Sequence, residues 1–454
     1  MAKNLSVGEP TKLIVLFTLP LLVGNLFQQL YQFTDAVVVG RVLGVDALAS
    51  VGAAGSLMFL LLGFTFGSSN GVAIPIARAF GAGDLSAMRR AVAAGVVVSA
   101  GIALAIMIIG LIFAKPLLGL LNTPDDLIPN AHAFLAIAFC GTAVTVAYNF
   151  LAATIRALGD SRTPLIFLII ACVLNAALVY VFIAVFGLGV GGASAATVVA
   201  QIVSVALCLL LIAKKMPDLH LHRDDFRLLT RSDIGESTRM GLAMGFQLSV
   251  IAIGAVILQY AINGLGQDAM AAFTASMRVD QVAVAPLSSF GVAIATFVAQ
   301  NRGARQWRRI RVGVFRISLV SSGASILLGV VIWTFGTDLV RLFVGDGEED
   351  VVAMGHQYLV INSVLYIILA MLFLLRNAVQ GMGRTSVPTI ASVMELILRA
   401  GAGLFLVVPL GFLGVCVAAP LAWVGALIPV GLAWFAERRQ LIRREESVYD
   451  PVLR

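Results

Sequence analysis

The chain has 454 residues, of which 60% are hydrophobic and 12% are charged. A composition this apolar cannot be arranged around a single soluble core. Much of the apolar surface must therefore face lipid. The net charge of +7 then reflects membrane orientation and contact with anionic lipid, and we expect no nucleic-acid partner.

Hydropathy divides the chain into about twelve runs of roughly 20 residues, each long enough to cross a hydrocarbon layer of about 30 Å as a helix. Charged or Gly/Pro-rich breaks separate the runs. In chain order they start near Leu13, Ser50, Ala91, Ala131, Pro164, Gly189, Met240, Met270, Gly313, Val351, Pro388 and Phe412. The sequence therefore predicts an all-α integral membrane protein with twelve transmembrane helices.

The first run is too long for the apolar region of a signal peptide. It leads into the polar residues Asn25, Gln28, Gln29 and Asp35 instead of a small-residue cleavage site. We therefore expect this run to be a retained helix.

Basic residues are strongly partitioned between alternate loops. Loops assigned to the inner side and the tail carry Arg89, Arg90, Arg156, Arg162, the stretch 214–239, Arg302, Arg305, Arg308, Arg309, Arg311, Arg384, Arg438, Arg439, Arg443 and Arg444. Loops assigned to the outer side carry Arg41, Lys115 and Arg341. The positive-inside rule therefore predicts a multi-pass protein of the plasma membrane with both termini in the cytoplasm.

The longest inner connection is rich in charge and divides the chain near its middle. On this basis we predict a first six-helix bundle in residues 1–213 and a cytoplasmic linker in 214–239. A second six-helix bundle would occupy residues 240–438, and a cytoplasmic tail would occupy 439–454.

Three short segments recur in the same order in both halves. They are residues 43–49 and 265–271, residues 71–74 and 291–294, and residues 157–164 and 381–388. In the last pair a helix ends at glycine and the next begins at proline, at Pro164 and at Pro388. Repeats that lie six spans apart indicate an internal duplication with parallel topology and a pseudo-two-fold axis along the membrane normal.

Charge inside a spanning segment costs about 2.5 to 3.5 kcal/mol, so each charged residue there needs a reason. Asp35 lies late in the first span near Gln28, Gln32 and Thr34, and Pro20 precedes it by about four helical turns. A proline inside a helix kinks it, and a carboxylate at this depth can bind and release a proton or a metal cation. The alternative is that Asp35 lies at the outer interface, hydrogen-bonded and without a role in transport.

The second half carries two charged pairs in its spans. Arg278 and Asp280 are two residues apart and so lie on different faces of a helix, which predicts another partner for each. Glu395 and Arg399 are four apart, the spacing at which a carboxylate and a guanidinium meet on one face. We expect a structural salt bridge there, with a part in handling substrate or protons as the alternative. In this interpretation Arg278 and Arg399 are the only arginines deep in the spans.

Motifs for soluble chemistry are nearly absent from the sequence. The glycines of residues 187–192 match the G-x-G-x-x-G pattern of dinucleotide-binding sites. However, they lie in a tight turn between two predicted spans, and the β-strand that must precede such a site is not present. There is no P-loop lysine motif, so an ion gradient is the expected energy source. The four cysteines and four histidines are scattered, so we expect no metal site and no cofactor. The sequence shows no pattern of a nucleophile with a general base, so we expect that the chain is not an enzyme.

Several stretches of the chain carry a family resemblance when they are taken together. They are residues 29–40, 79–84, 159–164, Arg278-Val279-Asp280 with Pro286, 298–304 and 383–388. Over essentially the whole chain the sequence resembles the multidrug and toxic compound extrusion (MATE) family, in the bacterial branches near DinF and the staphylococcal multidrug exporter. The resemblance implies a V-shaped pair of six-helix bundles that exports organic, often cationic compounds in exchange for protons or sodium.

For DinF-like members the resemblance implies a cation site of two carboxylates, an asparagine and a threonine in the first bundle, with a proline that bends the first helix. Asp35, Asn175 and Thr197 match three of these four places, and Pro20 matches the proline. The fourth place is Val179, so the site keeps one charge instead of two. One carboxylate can carry a proton without further ligands, whereas sodium needs a shell of oxygens that Val179 cannot supply. We therefore favour H⁺ as the coupling ion over Na⁺.

NorM-like members use a glutamate in the seventh helix, but the seventh span here, Met240 to Asn263, has no acidic residue. Its prominent polar group is Gln247. Our candidates for the substrate cavity are Gln28, Tyr31, Gln32, Gln247, Asp280, Glu395 and Arg399.

The expected function is a secondary active antiporter that exports cationic or neutral amphipathic drugs or toxic compounds. The alternative is a flippase for lipids or polysaccharide precursors, from the same superfamily. The expected partners are small organic substrates and the lipid bilayer, and we expect the chain to function as a monomer.

Overall fold

The computed structural model describes residues 4–449 apart from Asn122 and Asp346, and these residues form helices and connecting turns without a β-strand. In chain order the helices are α1 (Pro10–Leu43), α2 (Val45–Ala82), α3 (Leu85–Leu120), α4 (Ile128–Cys140), α5 (Thr142–Ala157), α6 (Arg162–Tyr180), α7 (Gly189–Lys215), α8 (Arg223–Arg227), α9 (Arg231–Asn263), α10 (Gln267–Gly303), α11 (Trp307–Val344), α12 (Glu349–Val364), α13 (Tyr366–Gly381), α14 (Ser386–Gly401), α15 (Val407–Leu410) and α16 (Phe412–Tyr449). The predicted all-α membrane fold is confirmed.

In the part of the chain that the structure describes, ten helical segments are long and apolar enough to cross a membrane, and two pairs of helices meet the same criterion when each pair is joined. The pairs are α4 with α5, bent by 48° at Gly141, and α12 with α13, bent by 51° at Leu365. These segments and pairs occur where the twelve spans were predicted. The bent pairs correspond to the fourth and tenth predicted spans. Hydropathy cannot reveal the bends because both helices of each pair are apolar.

The chain folds as two units. The first takes in Pro20–Leu248, and the second takes in Leu5–Leu19 together with the chain from Ser249 onward. Both divisions fall inside continuous helices, α1 and α9. The structure thus divides the chain later than the predicted linker at residues 214–239, which holds a 3₁₀ turn, α8 and the first residues of α9.

The first half of α9 is fastened to the first unit by a salt bridge and by close packing. Arg78 of α2 donates to both carboxylate oxygens of Glu236, over 2.6 and 2.8 Å. Gly67 of α2 lies against the α9 backbone at Met244, where a Cβ would collide with the carbonyl group. Such an approach requires a residue without a side chain. These contacts explain why α9 stays with the first unit as far as Leu248.

The turns between α5 and α6 and between α13 and α14 repeat one local geometry. Gly159 and Gly383 have positive φ angles of 87° and 75°, a conformation that glycine adopts without strain. The helices that follow each pass into a π-helical turn, at Val181–Val185 and at Ala402–Leu406. The segments with matching sequence therefore also match in local structure.

Each unit has its own apolar core. In the first unit the core joins α1, α2, α3, α4, α6 and α7 and includes Val39, Leu118 and Val179. In the second unit it joins α9 to α16 and includes Leu287, Tyr366 and Trp423. Polar side chains lie next to the two cores at Val179 and at Tyr366, and these two places are the candidate sites described below.

Candidate functional site

The first polar cluster brings together three residues from three helices: Asp35 of α1, Asn175 of α6 and Thr197 of α7. The Thr197 hydroxyl lies 3.4 Å from Asp35 Oδ2 and 3.2 Å from the Ala193 carbonyl oxygen, and these are its two acceptors. Asn175 Nδ2 donates to the Thr197 hydroxyl oxygen at 3.3 Å. Asn175 is fully buried and Asp35 is half-buried. The structure therefore assembles the three residues that the sequence predicted as a cation-coupling site.

Three oxygen atoms in this cluster are buried and have no hydrogen-bond partner among the described residues. They are Asp35 Oδ1, Asn175 Oδ1 and the Tyr31 hydroxyl. Tyr31 lies one helical turn before Asp35 and interacts with it electrostatically. The sequence predicts Tyr31 as a cavity residue, and in the structure it lies beside Asp35. Asp35 Oδ1 and Asn175 Oδ1 can only accept a hydrogen bond, whereas the Tyr31 hydroxyl can also donate one.

Cys172 of α6 is a neighbour that the sequence analysis missed. It is half-buried, interacts electrostatically with Asp35, and donates a weak hydrogen bond to the Phe27 carbonyl oxygen at 3.7 Å. Its position three residues before Asn175 puts both side chains on one face of α6, and this spacing could have indicated its place.

The fourth position of the predicted site is apolar. Val179 is fully buried and packs in the core of the first unit with Val39 and Leu118. It lies one helical turn after Asn175, so a carboxylate at this position would have faced the same interior. Among the described residues no group of three His, Cys, Asp or Glu side chains could hold a metal ion.

The remaining candidates on α1 and α9 do not join the cluster around Asp35. Gln28 and Gln32 are exposed on α1, and Gln247 is buried in α9 within the first unit. Pro20 lies inside α1, which continues as a helix on both sides of it. Its role in bending α1 stays a prediction.

The second polar cluster is formed by charged side chains of the second unit. Glu395 is buried and lies between two arginines: its Oε2 accepts from Arg376 Nη2 at 2.8 Å, and its Oε1 accepts from Arg399 Nη2 at 3.2 Å. The predicted contact between Glu395 and Arg399 is present. Arg376 is an addition to it, since the sequence analysis did not identify this residue.

Arg376 is a third arginine within the predicted spans, so the prediction that Arg278 and Arg399 are the only ones was wrong. Arg278 is exposed, whereas Arg376 of α13 is fully buried. Arg376 follows a run of apolar residues in α13, the second helix of the bent α12–α13 pair. Its buried guanidinium is paired with Glu395 of α14.

Asp280 has a hydroxyl partner instead of an ion pair with its neighbour in sequence. The Tyr366 hydroxyl donates to Asp280 Oδ1 at 2.6 Å. Asp280 also interacts electrostatically with Arg399. The expectation that Arg278 and Asp280 do not pair is met, and Asp280 belongs to the same interior as the cluster of Glu395.

Comparisons with family models, with curated proteins and with solved structures all match this chain to multidrug transporters. The MatE family model matches this chain twice, over residues 20–181 and 243–405. The probable multidrug resistance protein YpnP of Bacillus subtilis is 31% identical over 383 residues, which cover 84% of this chain and 85% of the relative. The probable multidrug resistance protein YoeA of the same organism is 28% identical, covering 84% and 83%. A crystal structure of MATE in complex with MaL6 is similar with a TM-score of 0.88 at 20% identity, covering 98% of this chain and 99% of that one.

Proposed function

Because this chain belongs to the MatE family of multidrug efflux transporters, we propose that it is an antiporter that exports organic compounds in exchange for protons. It is a membrane-integral transporter and not an enzyme. The coupling ion, the class of substrate and the orientation in the membrane belong to the proposal.

The cluster around Asp35 is the observation that carries proton coupling. Asp35 Oδ1, Asn175 Oδ1 and the Tyr31 hydroxyl oxygen are buried without partners in the described part of the chain. A proton on Asp35 removes a negative charge from the interior of the first unit and adds an O–H donor, which can bond to an acceptor such as Asn175 Oδ1. Sodium would instead need several oxygens in one shell, and Val179 supplies none at the fourth position.

The proposed cycle uses α1 as the element with two states. Asp35 takes a proton from outside, α1 changes its bend at Pro20, and the bound compound is released outward. Deprotonation toward the cytoplasm then returns the carrier to its first state. Coupling of this kind requires that proton and substrate favour different states of the same element. Pro20 supports the assignment because it has no backbone N–H and so removes a hydrogen bond from the helix interior.

We propose a plasma-membrane location with both termini in the cytoplasm, because the basic residues are concentrated in alternate loops. The proposed substrates are small amphipathic compounds that are cationic or neutral. The chain is proposed to work as a monomer without a cofactor.

The test is uptake of a fluorescent organic cation into everted membrane vesicles, with proton and sodium gradients imposed separately. We expect a proton gradient alone to drive uptake, and a protonophore to abolish it. A strict requirement for sodium would overturn proton coupling. No uptake under either gradient would overturn the antiporter for this class of compound.

One observation keeps the flippase as a second candidate. The second unit has two arginines around Glu395, where the sequence analysis found only Arg399. Buried arginines suit the phosphate groups of lipid-linked substrates. Transfer of a fluorescent phospholipid between the leaflets of vesicles, without uptake of the organic cation, would favour this candidate.

A further inference from the structure

We propose that the interior of the second unit binds the carboxylate group of exported zwitterionic amphiphiles through Arg399 and Arg376. This inference rests on the proposed function and names a class of substrate for it. The site would lie among α9, α10, α13 and α14, and it is separate from the cluster around Asp35.

Two guanidinium groups flank one buried carboxylate in this interior. A guanidinium has five N–H donors, yet Glu395 accepts one hydrogen bond from Arg376 and one from Arg399. Arg376 Nε, Arg376 Nη1 and Arg399 Nε are buried and have no hydrogen-bond partner in the residues that the structure describes. Because nearly all buried N–H groups in proteins are paired, the cluster has donors for a second oxyanion.

The charges favour an anion as well. Two guanidinium groups and Glu395 leave one positive charge in excess within the triad. Asp280 interacts with Arg399 electrostatically, but within the described ranges no ion pair of 4.0 Å or less joins them, and Asp280 accepts from Tyr366. A carboxylate beside Arg399 would form charge-assisted hydrogen bonds, and arginine binds this group in a bidentate geometry.

The surroundings fit the rest of a zwitterionic compound. Asp280 lies within electrostatic range of Arg399 and offers a carboxylate that can meet a cationic group. Tyr358 interacts electrostatically with both Asp280 and Arg399, and the rings of Tyr366 and Trp423 lie 6.5 Å apart. Aromatic side chains next to paired charges are typical of sites for amphipathic ligands.

The internal repeat gives an independent reason for assigning this role to Arg399. Pro388 lies 224 residues after Pro164 in the duplicated turn, and Arg399 likewise lies 224 residues after Asn175. The position that holds a neutral amide next to Asp35 in the first unit therefore holds a permanent positive charge in the second. The same place in the two units would serve opposite charges.

Arg399 is the arginine that a ligand would meet first. Its side chain is 12% exposed, whereas that of Arg376 is 0% exposed. Gly254 of α9 lies beside it, and a methyl group on this glycine would be 3.2 Å from Arg399 Cδ. A methyl group at residue 254 would therefore press on the Arg399 side chain and shift it slightly without removing any charge.

The experiment is equilibrium binding to the purified full-length protein in lipid nanodiscs, followed by fluorescence anisotropy. The probes are a rhodamine dye with a free carboxylate and the methyl ester of the same dye. We expect the wild type to bind the carboxylate dye at least about tenfold more tightly than the ester, as charge-assisted hydrogen bonds imply. Arg399→Asn introduces the residue that the first unit has at the matching position. In this variant we expect the affinity for the carboxylate dye to fall to that for the ester, while the affinity for the ester is unchanged.

The matched control is Arg278→Asn, which removes an exposed arginine of the same unit and should keep the preference. Unchanged binding of the ester by Arg399→Asn would show that the variant is folded. If that variant does not fold, Gly254→Ala, which retains every charge, is expected to reduce the preference. Equal affinities in the wild type, or a preference that survives Arg399→Asn or Gly254→Ala, would overturn the proposal. Binding needs no gradient, so a failure of proton coupling would leave this result unaffected.

Discussion

The polar clusters of the two units differ in what they lack. Among the residues that the structure describes, the unpartnered buried atoms around Asp35 are three oxygens, and those around Glu395 are three guanidinium nitrogens. The first cluster therefore offers unpaired oxygens and the second offers unpaired N–H donors. A proton or a cation completes the first, while an anion completes the second.

Under the two proposals above, the duplicated fold divides its work between its halves. The local geometry is shared, since both units have the glycine turn and the π-helical turn. The chemistry changes at single positions such as Asn175 and Arg399. An ion-coupling group and a substrate group can then reside in similar places without competing for the same ligand.

The largest expected effect comes from removing the shared carboxylate of the second cluster. Glu395→Gln leaves Arg376 and Arg399 buried without their counter-charge, which should lower the free energy of unfolding by about 3 to 5 kcal/mol. Thermal unfolding of the purified protein, measured by tryptophan fluorescence, would detect this as a lower melting temperature. A stability equal to that of the wild type would mean that the triad is solvated and would contradict the buried geometry.

The second effect in size comes from the first cluster. Asp35→Asn keeps the shape of the side chain but removes the proton carrier, so proton-driven dye uptake should fall by about 100-fold, within the usual range of coupling between sites. The measurement is uptake by everted vesicles under a proton gradient. Asp46→Asn is the control, because Asp46 is exposed at the start of α2 and its loss should leave uptake unchanged. Full uptake by Asp35→Asn would exclude Asp35 as the coupling group.

The contrast between the clusters could be predicted only in part from the sequence. Asp35, Asn175 and Thr197 were predicted because each matches a family position, and Glu395 and Arg399 because their spacing is that of one helical face. Arg376 was missed, since its partner is 19 residues away on another helix. The spacing of residues along the sequence does not reveal a salt bridge between two different helices.

Burial on α1 shows the same limit. Gln28, Tyr31, Gln32 and Asp35 lie on one broad stripe of a helix, so the sequence favoured all four as interior residues. In the structure Tyr31 and Asp35 are the more buried ones, while Gln28 and Gln32 are exposed. Which part of a polar stripe faces inward depends on the neighbouring helices, here α6 and α7, and their placement is a property of the tertiary fold.

A smaller effect is expected from a second carboxylate at the fourth position of the first cluster, and it tests whether protons or sodium ions are the coupling ion. Val179→Asp places a second carboxylate one helical turn from Asn175, which completes the set of ligands implied for a sodium site. We expect sodium-driven dye uptake to rise by about tenfold over the wild type, a change that corresponds to about 1.4 kcal/mol. Val179→Asn is the matched control without the charge. If Val179→Asp folds and retains proton-driven uptake without responding to sodium, Val179 is not the position that decides the ion.

The smallest expected effect concerns the hydrogen bond between Tyr366 and Asp280. Tyr366→Phe keeps the ring in the core and removes the 2.6 Å contact to the carboxylate, which should cost about 1.5 to 3 kcal/mol if Asp280 stays buried without another donor. Part of that cost is recovered if Asp280 turns toward Arg399, so a net loss of stability of about 1 kcal/mol is expected. In that arrangement Asp280 would neutralise the arginine, and the preference for the carboxylate dye should weaken while binding of the ester is retained. A variant that loses stability but keeps the full preference would show that Asp280 does not compete with the bound carboxylate, and the two charges of the second cluster would then act independently.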